Sequence, residues 1–152
     1  MTSPVDLAAT KECYCLAARR TARAITRLYE EKLRPHGLRA TQFSILAALA
    51  LRGPTPISDL AERLGLERTT LTRSAALLEQ NGWVRTLRSE DAREHPLQLA
   101  PAGRRKLAAA LPAWKTAQEL VSREFGRQIR RPEFHQTSDV QKSPTNSRTQ
   151  AE

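Results

Sequence analysis

The spacing of apolar residues between Ile57 and Leu99 predicts the central element of this chain. A short amphipathic stretch comes first, and its apolar residues at helical spacing are Ile57, Leu60, Ala61 and Leu64. Gly65 ends that stretch. A second amphipathic stretch follows, and its inward face is formed by Leu71, Ala75 and Leu78. Two helices joined by a tight turn that contains glycine predict a helix-turn-helix, whose second helix can enter a DNA major groove.

A β-hairpin is predicted directly after the second helix. Asn81-Gly82 is a helix stop signal, and residues 83–87 have the composition of a strand. Residues 88–95 form a charged loop, and residues 97–99 form a return strand. The hairpin would be the wing of a winged helix-turn-helix, a three-helix core with a β-hairpin wing.

Long helices are predicted on both sides of the winged helix-turn-helix, residues 35–100, which we call the head. One spans Lys11 to Arg34, and the other spans Pro101 to Gly126 with Pro112 as a possible kink. A shorter helix, Gln42 to Leu51, lies between the first long helix and the head, with Thr41 as its N-cap. The fold class is therefore mostly α. One small head cannot cover the apolar stripes of two long helices, so we expect a homodimer in which they interleave.

Four segments follow from this pattern. Residues 1–34 form an N-terminal dimerisation helix, 35–100 a winged helix-turn-helix domain, 101–131 a C-terminal dimerisation helix and 132–152 a polar, disordered tail.

Charge changes this interpretation in one respect. The net charge of +9 favours a polyanionic partner such as double-stranded DNA. Residues 62–94 hold six arginines and six acids, so this part of the head has no net charge. The argument for DNA binding by the head therefore depends on the positions of its arginines. No apolar run approaches a membrane span and no apolar signal-peptide region follows the first residues, so we expect no membrane contact. The chain has two cysteines and no disulfide framework, and reduced thiols are typical of a cytoplasmic protein.

The chain resembles the MarR family of bacterial transcription regulators. The residues that carry the resemblance are GLRATQF (37–43), ISDLAERLG (57–65), TLTR (70–73), LEQNGWV (78–84), Asp91-Ala92-Arg93, Leu99 and Gly103. The resemblance spans roughly residues 13–126. It implies a homodimeric repressor that binds a palindromic operator and is released by a small-molecule or oxidant signal. The family usually adds a leucine-rich C-terminal helix, whose pattern is missing from residues 127–152.

The candidate DNA contacts lie on the second helix and the wing. Side chains opposite the Leu71/Leu78 face would point outward, namely Arg68, Thr69, Thr72 and Arg73, and Thr70 could reach phosphates. In the wing, Arg88 and Arg93 are the candidates. The resemblance implies that Arg93 enters the minor groove and that Asp91 orients its guanidinium. The alternative is that these are ordinary solvated residues and a surface ion pair of little energetic consequence.

Two cysteines leave a second function open. Cys13 and Cys15 form no disulfide framework, and on a helix they are too close in sequence to bridge easily. Organic hydroperoxide sensors of the MarR type carry a reactive cysteine early in the first helix, supported by two tyrosines. Alignment from Tyr29 places Cys15 at that position, but the second tyrosine falls at Ala40. The alternatives are small residues packed in the helix stripe, or a weaker Cys-x-Cys metal site.

An effector site is a further implication of the resemblance. Family ligands sit between the dimerisation helices and the head, where plausible liners for an anionic aromatic are Arg19, Arg20, Arg23, His36 and Trp114. No Gly-rich phosphate loop, nucleophile elbow or paired carboxylate is visible, so we expect no enzyme, no cofactor and no metal. The rival to DNA binding is a winged-helix module that binds another protein.

Overall fold

The computed structural model describes residues 7–88, 95–127 and 129, and its architecture is the expected mostly helical winged helix-turn-helix. Within these ranges the helices are α1 (Tyr14–Leu33), α2 (Ala40–Arg52), α3 (Ile57–Leu64), α4 (Arg68–Gln80) and α5 (Pro101–Phe125). The strands are β1 (Thr55–Pro56), β2 (Val84–Thr86) and β3 (Pro96–Leu99). Short 3-10 turns at Ala8–Glu12 and Arg34–His36 precede and follow α1.

The core of the head lies between α2, α3 and α4. Its fully buried large side chains from these helices are Ile45, Leu46, Leu49, Leu60, Leu71 and Leu78. Leu71, Ala75 and Leu78 all face inward, which confirms the inward face predicted for the second helix. Side-chain directions along a helix follow its 3.6-residue period. Burial of these three residues therefore also determines which side chains of α4 face solvent.

A left-handed glycine makes the turn between α3 and α4. Gly65 has φ +61°, a conformation that L side chains rarely adopt, and it follows the last residue of α3. The N–H of Leu66 donates to the carbonyl oxygen of Ala61 at 2.9 Å, and the N–H of Gly65 donates to that of Glu62 at 3.1 Å. These bonds satisfy the last carbonyls of α3 and redirect the chain into α4.

The wing belongs to a three-stranded antiparallel sheet in the order β1-β3-β2. The predicted hairpin is present: Val84 pairs with Leu99 and Thr86 pairs with Leu97. Strand β1 was not expected, because two residues are too few to show an alternating pattern. Pro56 lies in that edge strand as the N-cap of α3, not at the first helical position.

The predicted N-cap of α2 is wrong. Helix α2 begins at Ala40, with Arg39 as the N-cap, and Thr41 lies inside the first turn. The side-chain oxygen of Gln42 accepts the N–H of Arg39 at 3.0 Å, and the Glu30 carboxylate accepts the N–H of Ala40 at 3.0 Å. The carboxylate of Glu30 in α1 therefore satisfies a backbone N–H at the start of α2, a role that was expected for the hydroxyl of Thr41.

The long helices agree with the sequence in type and differ at their ends. Helix α1 begins at Tyr14 because Cys13 is extended, and α5 continues through Pro112 to Phe125. Leu33 is the buried residue of α1. Residues 11–20 are exposed throughout, including Leu16, at 51% exposure, from the predicted stripe. Within the described residues, the N-terminal part of α1 thus has no apolar cover.

Three sequence-based expectations fall on residues outside the described ranges. They concern residues 1–6 of the N-terminal dimerisation segment, the tip of the wing at 89–94 and the tail at 132–152. Among the described residues, no helix combines the length and apolar character needed to cross a bilayer.

Substitution of Gly103 by alanine should destabilise the fold, although alanine is the better helix former. A Cβ at Gly103 would overlap the carbonyl oxygen of Trp83 and lie 2.9 Å from Cδ1 of Leu99, so the base of the wing must move away from α5. We expect a loss of about 1–3 kcal/mol in the free energy of unfolding, measured by urea denaturation. Ser122→Ala, at an exposed position of α5, is the control and should change stability by less than about 0.5 kcal/mol. Equal or greater stability of Gly103→Ala would contradict the close approach.

Candidate nucleic-acid interface

The first two turns of α4 carry exposed polar side chains. The exposed residues there are Arg68, Thr69, Thr70, Thr72 and Arg73. Thr69 and Arg73 lie opposite the buried face formed by Leu71 and Leu78, so they form the outer face of α4. All five residues selected from the sequence are therefore accessible at the start of α4.

Local bonding affects what Thr72 can offer a ligand. Its hydroxyl donates to the carbonyl oxygen of Arg68, one turn earlier, at 2.8 Å. The hydroxyl proton is thus used within the helix, and the Thr72 methyl group remains available for an apolar contact such as a thymine methyl.

The arginines of this face have no carboxylate partner in the described part of the chain. There, the ion pair found is Lys32–Glu31, at 2.9 Å, which lies on α1. Arg68 and Arg73 are exposed without such a partner, so their guanidinium groups are free for bidentate contacts to guanine or phosphate.

Of the wing residues predicted to contact DNA, the structure describes one, Arg88. Arg88 is exposed two residues after the end of β2, whereas Asp91 and Arg93 lie outside the described residues. The sequence did not single out Arg85, whose Nε donates to Oε1 of Gln98 at 2.7 Å and links β2 to β3. Arg85 and Gln98 are directly opposite each other in the antiparallel pair, and this pairing is known only once the register of the two strands is known.

The base of the wing is fixed to α5. The N–H of Ala100 donates to the carbonyl oxygen of Trp83 at 3.0 Å, and Nζ of Lys106 lies 4.7 Å from the centroid of the Trp83 ring. The cation–π contact and the close approach at Gly103 hold the hairpin against the long helix. Lys106 was also missed in the sequence, since a cation–aromatic pair separated by 23 positions leaves no periodic signal.

Comparison with known proteins places this geometry in a family. A sequence profile of the MarR family matches residues 38–95. The transcriptional regulator MosR of M. tuberculosis, in a crystal structure with DNA, is 42% identical, with a TM-score of 0.68 over 76% of this chain and 84% of MosR. The chain belongs to the MarR family. This membership confirms the predicted class, a transcription regulator and not an enzyme.

Two further relatives add to the comparison. YwoH of Bacillus subtilis (strain 168), an uncharacterized HTH-type transcriptional regulator, is 36% identical over 86 residues. That match covers 57% of this chain and 63% of YwoH, so the chain spans less than two thirds of this relative. AbfR, in a crystal structure of its overoxidized form on DNA, is 27% identical, with a TM-score of 0.62 over 74% of this chain and 87% of AbfR.

In this MarR-family chain, a small cavity lies where α1, α2 and α5 meet. Its volume is about 210 Å³, and the lining residues are Tyr29, Leu33, Ala40, Ser44 and Trp114. The Trp114 ring stacks on Phe43 with centroids 5.7 Å apart, and the Tyr29 hydroxyl donates to the side-chain oxygen of Gln118. Of the residues predicted to contact an effector, Trp114 lines this cavity.

The other predicted effector residues lie elsewhere. Arg19, Arg20 and Arg23 are exposed along the N-terminal half of α1, and His36 is half-buried in the 3-10 turn after it. The described part of a single chain therefore does not gather these four side chains around Trp114. Their assignment stays a prediction that depends on a second chain.

The two cysteines are free and exposed. Cys13 is the extended residue before α1, and Cys15 is the second residue of that helix. The expectation that both cysteines lie on one helix is therefore wrong. Tyr29 lies 14 residues after Cys15, about 21 Å along α1 at the helical rise. Tyr29 and Cys15 therefore cannot meet within one chain. Among the described residues, no His, Cys, Asp and Glu side chains gather into a group that could hold a metal ion.

Burial of Tyr29 should be visible in its titration. Desolvation raises the pKa of this phenol above its usual value of 10.0, because burial disfavours the phenolate. In Tyr14→Phe, where Tyr29 is the remaining tyrosine, the tyrosinate absorbance should develop at higher pH than that of N-acetyltyrosinamide. The associated stability is present below the unfolded pKa and is lost as the pH rises through the folded pKa. If Tyr29 titrated at the same pH as N-acetyltyrosinamide, the phenol would be solvated and this prediction would be wrong.

Proposed function

We propose that this chain is a cytoplasmic, homodimeric MarR-type repressor that binds a palindromic operator. The observation that carries the proposal is the outer face of α4, where exposed arginines and threonines stand beside a wing and the opposite side is buried. The MosR structure with DNA supports it at 42% identity. The corresponding domain organisation is a winged head at 35–100 between dimerisation helices at 1–34 and 101–131.

Each residue of the interface has a distinct role in this proposal. Arg68 and Arg73 read guanine O6 and N7 in the major groove, while Thr69 and Thr72 contact thymine methyl groups. Thr70 binds a phosphate and so fixes the register of the helix. In the wing, Arg88 contacts the adjacent backbone or minor groove. Arg93 enters the minor groove, with its guanidinium oriented by Asp91.

Dimerisation is supported by apolar surface that one chain leaves uncovered. Tyr14 is 92% exposed, Leu16 is 51% exposed and Leu111, on α5, is 39% exposed. A two-fold dimer through α1 and α5 would cover these residues and present two recognition helices to half-sites one DNA turn apart.

Release from the operator is the second part of the proposal. A ligand with a single aromatic ring at the Tyr29–Trp114 cavity would change the packing of α1 and α5 and therefore the spacing of the two heads. A specific observation favours oxidation as the alternative signal: Cys15 is exposed at the start of the helix proposed for the dimer interface. AbfR has been crystallised on DNA in both reduced and overoxidized forms.

The contact assignment predicts a loss of affinity for two single variants. Arg73→Ala and Arg88→Ala should each weaken binding to a palindromic fragment of the adjacent promoter by about 10- to 100-fold, because each loses about 1–3 kcal/mol of contact energy. Fluorescence anisotropy at fixed salt measures the effect. Arg52→Ala, an exposed arginine at the end of α2, is the matched control and should bind like the parent protein. Unchanged binding by both variants, or no salt-dependent DNA binding by the parent, would favour the protein-binding module.

Oxidant sensing by Cys15 predicts that Cys15→Ser stays on its operator under peroxide concentrations that release the parent protein. The serine hydroxyl cannot form a sulfenic acid, so the signal would be lost while DNA affinity is kept. An electrophoretic mobility assay with and without peroxide measures this. Cys13→Ser shows whether the neighbouring thiol takes part. Release of Cys15→Ser by peroxide at the parent concentration would eliminate the thiol as the sensor.

A further inference from the structure

The free edge of the wing sheet faces the recognition helix. The N–H of Leu87 donates to the carbonyl oxygen of Pro96 at 2.8 Å. In an antiparallel ladder, hydrogen-bonded and non-hydrogen-bonded pairs alternate, so the neighbouring pair, Thr86 and Leu97, is of the non-bonded kind. The N–H of Thr86 therefore points away from β3, toward the side of β2 where the described part of the chain has no further strand.

Glu79 occupies that open position. Its Oε1 accepts the N–H of Thr86 at 2.8 Å. Glu79 belongs to the last turn of α4, whose first turn carries Arg68 and the other proposed base contacts. One charge-assisted hydrogen bond thus joins the end of the recognition helix directly to the outer strand of the wing.

The charge of Glu79 is unfavourable for DNA binding taken alone. A carboxylate in the last turn of a helix opposes the helix dipole, and a negative charge in the head repels phosphates. In the described part of the chain, Glu79 forms no ion pair that would neutralise it. Simple electrostatics therefore predicts that its removal strengthens DNA binding.

We propose that Glu79 is a positioning residue for DNA recognition. Its carboxylate fixes the wing strand β2 relative to α4, so that Arg88 reaches the DNA when Arg73 lies in the major groove. The inference rests on the proposed DNA contacts of those two arginines. Beyond those contacts, we infer that the Glu79–Thr86 hydrogen bond sets the position of Arg88 relative to Arg73.

Three substitutions separate positioning from charge. Glu79→Ala removes the bond and the charge, and it should bind a palindromic promoter fragment about three- to tenfold more weakly than the parent. Glu79→Gln keeps a side-chain oxygen that can accept the Thr86 N–H, and it should bind at least as tightly as the parent. Glu62→Ala removes another exposed carboxylate of the head and should also bind at least as tightly. Binding of Glu79→Ala as tight as that of Glu62→Ala would overturn the proposal.

A double-mutant cycle tests whether the effect passes through the wing. Adding Glu79→Ala to Arg88→Ala should cost little further affinity, while adding it to Arg73→Ala should cost its full three- to tenfold. Equal costs in the two backgrounds would overturn the proposal, and circular dichroism at the assay temperature confirms that each variant is folded. If neither arginine variant weakens binding, the proposed contacts themselves are wrong. If both do and Glu79→Ala does not, only the role of Glu79 fails.

Discussion

Burial of one face of α4 is the constraint on which the rest of this molecule depends. Leu71 and Leu78 are fully buried against the head formed with α2 and α3, and Ala75 fills the turn between them. Rotation of α4 about its axis would expose two leucines, at a cost of about 1.5–3 kcal/mol for each side chain. The outer face, with Thr69 and Arg73, is therefore presented to solvent in one orientation. Residues 62–94 hold six arginines and six acids, so the DNA recognition that we propose for this face depends on the direction of its side chains.

The wing and the long helices extend this constraint to the rest of the chain. Gly103 lets the backbone of Trp83 approach α5, and Lys106 lies over the Trp83 ring. Further along α5, Trp114 and Gln118 contact Phe43 of α2 and Tyr29 of α1. One helix thus touches the wing, the head and the proposed dimerisation helix. We infer that a change in the packing of α1 against α5 would reach the DNA-facing surface along this route.

Sequence periodicity predicted α3, α4 and the wing hairpin because their patterns are local. It could not predict β1, which has two residues, or the N-terminus of α2, where Glu30 satisfies a backbone N–H from ten positions earlier. The outward face of α4 followed directly from the leucine spacing. The bond from Glu79 to Thr86 did not, because it depends on the pairing register of β2 with β3. Trp114 alone of the predicted effector residues lines the cavity, because residues far apart in the sequence on α1, α2 and α5 form that lining.

Hydroxyl-radical footprinting of the protein on its own promoter tests whether two α4 helices bind DNA as a symmetric pair. A two-fold dimer should give two equivalent protected regions centred about one helical turn apart, each with a protected minor-groove segment beside it where the wing lies. The protection should weaken steeply as salt is raised, because phosphate contacts release counterions. A single protected region without symmetry, or protection that does not depend on sequence, would contradict the paired recognition helices and the roles assigned to the outer face of α4.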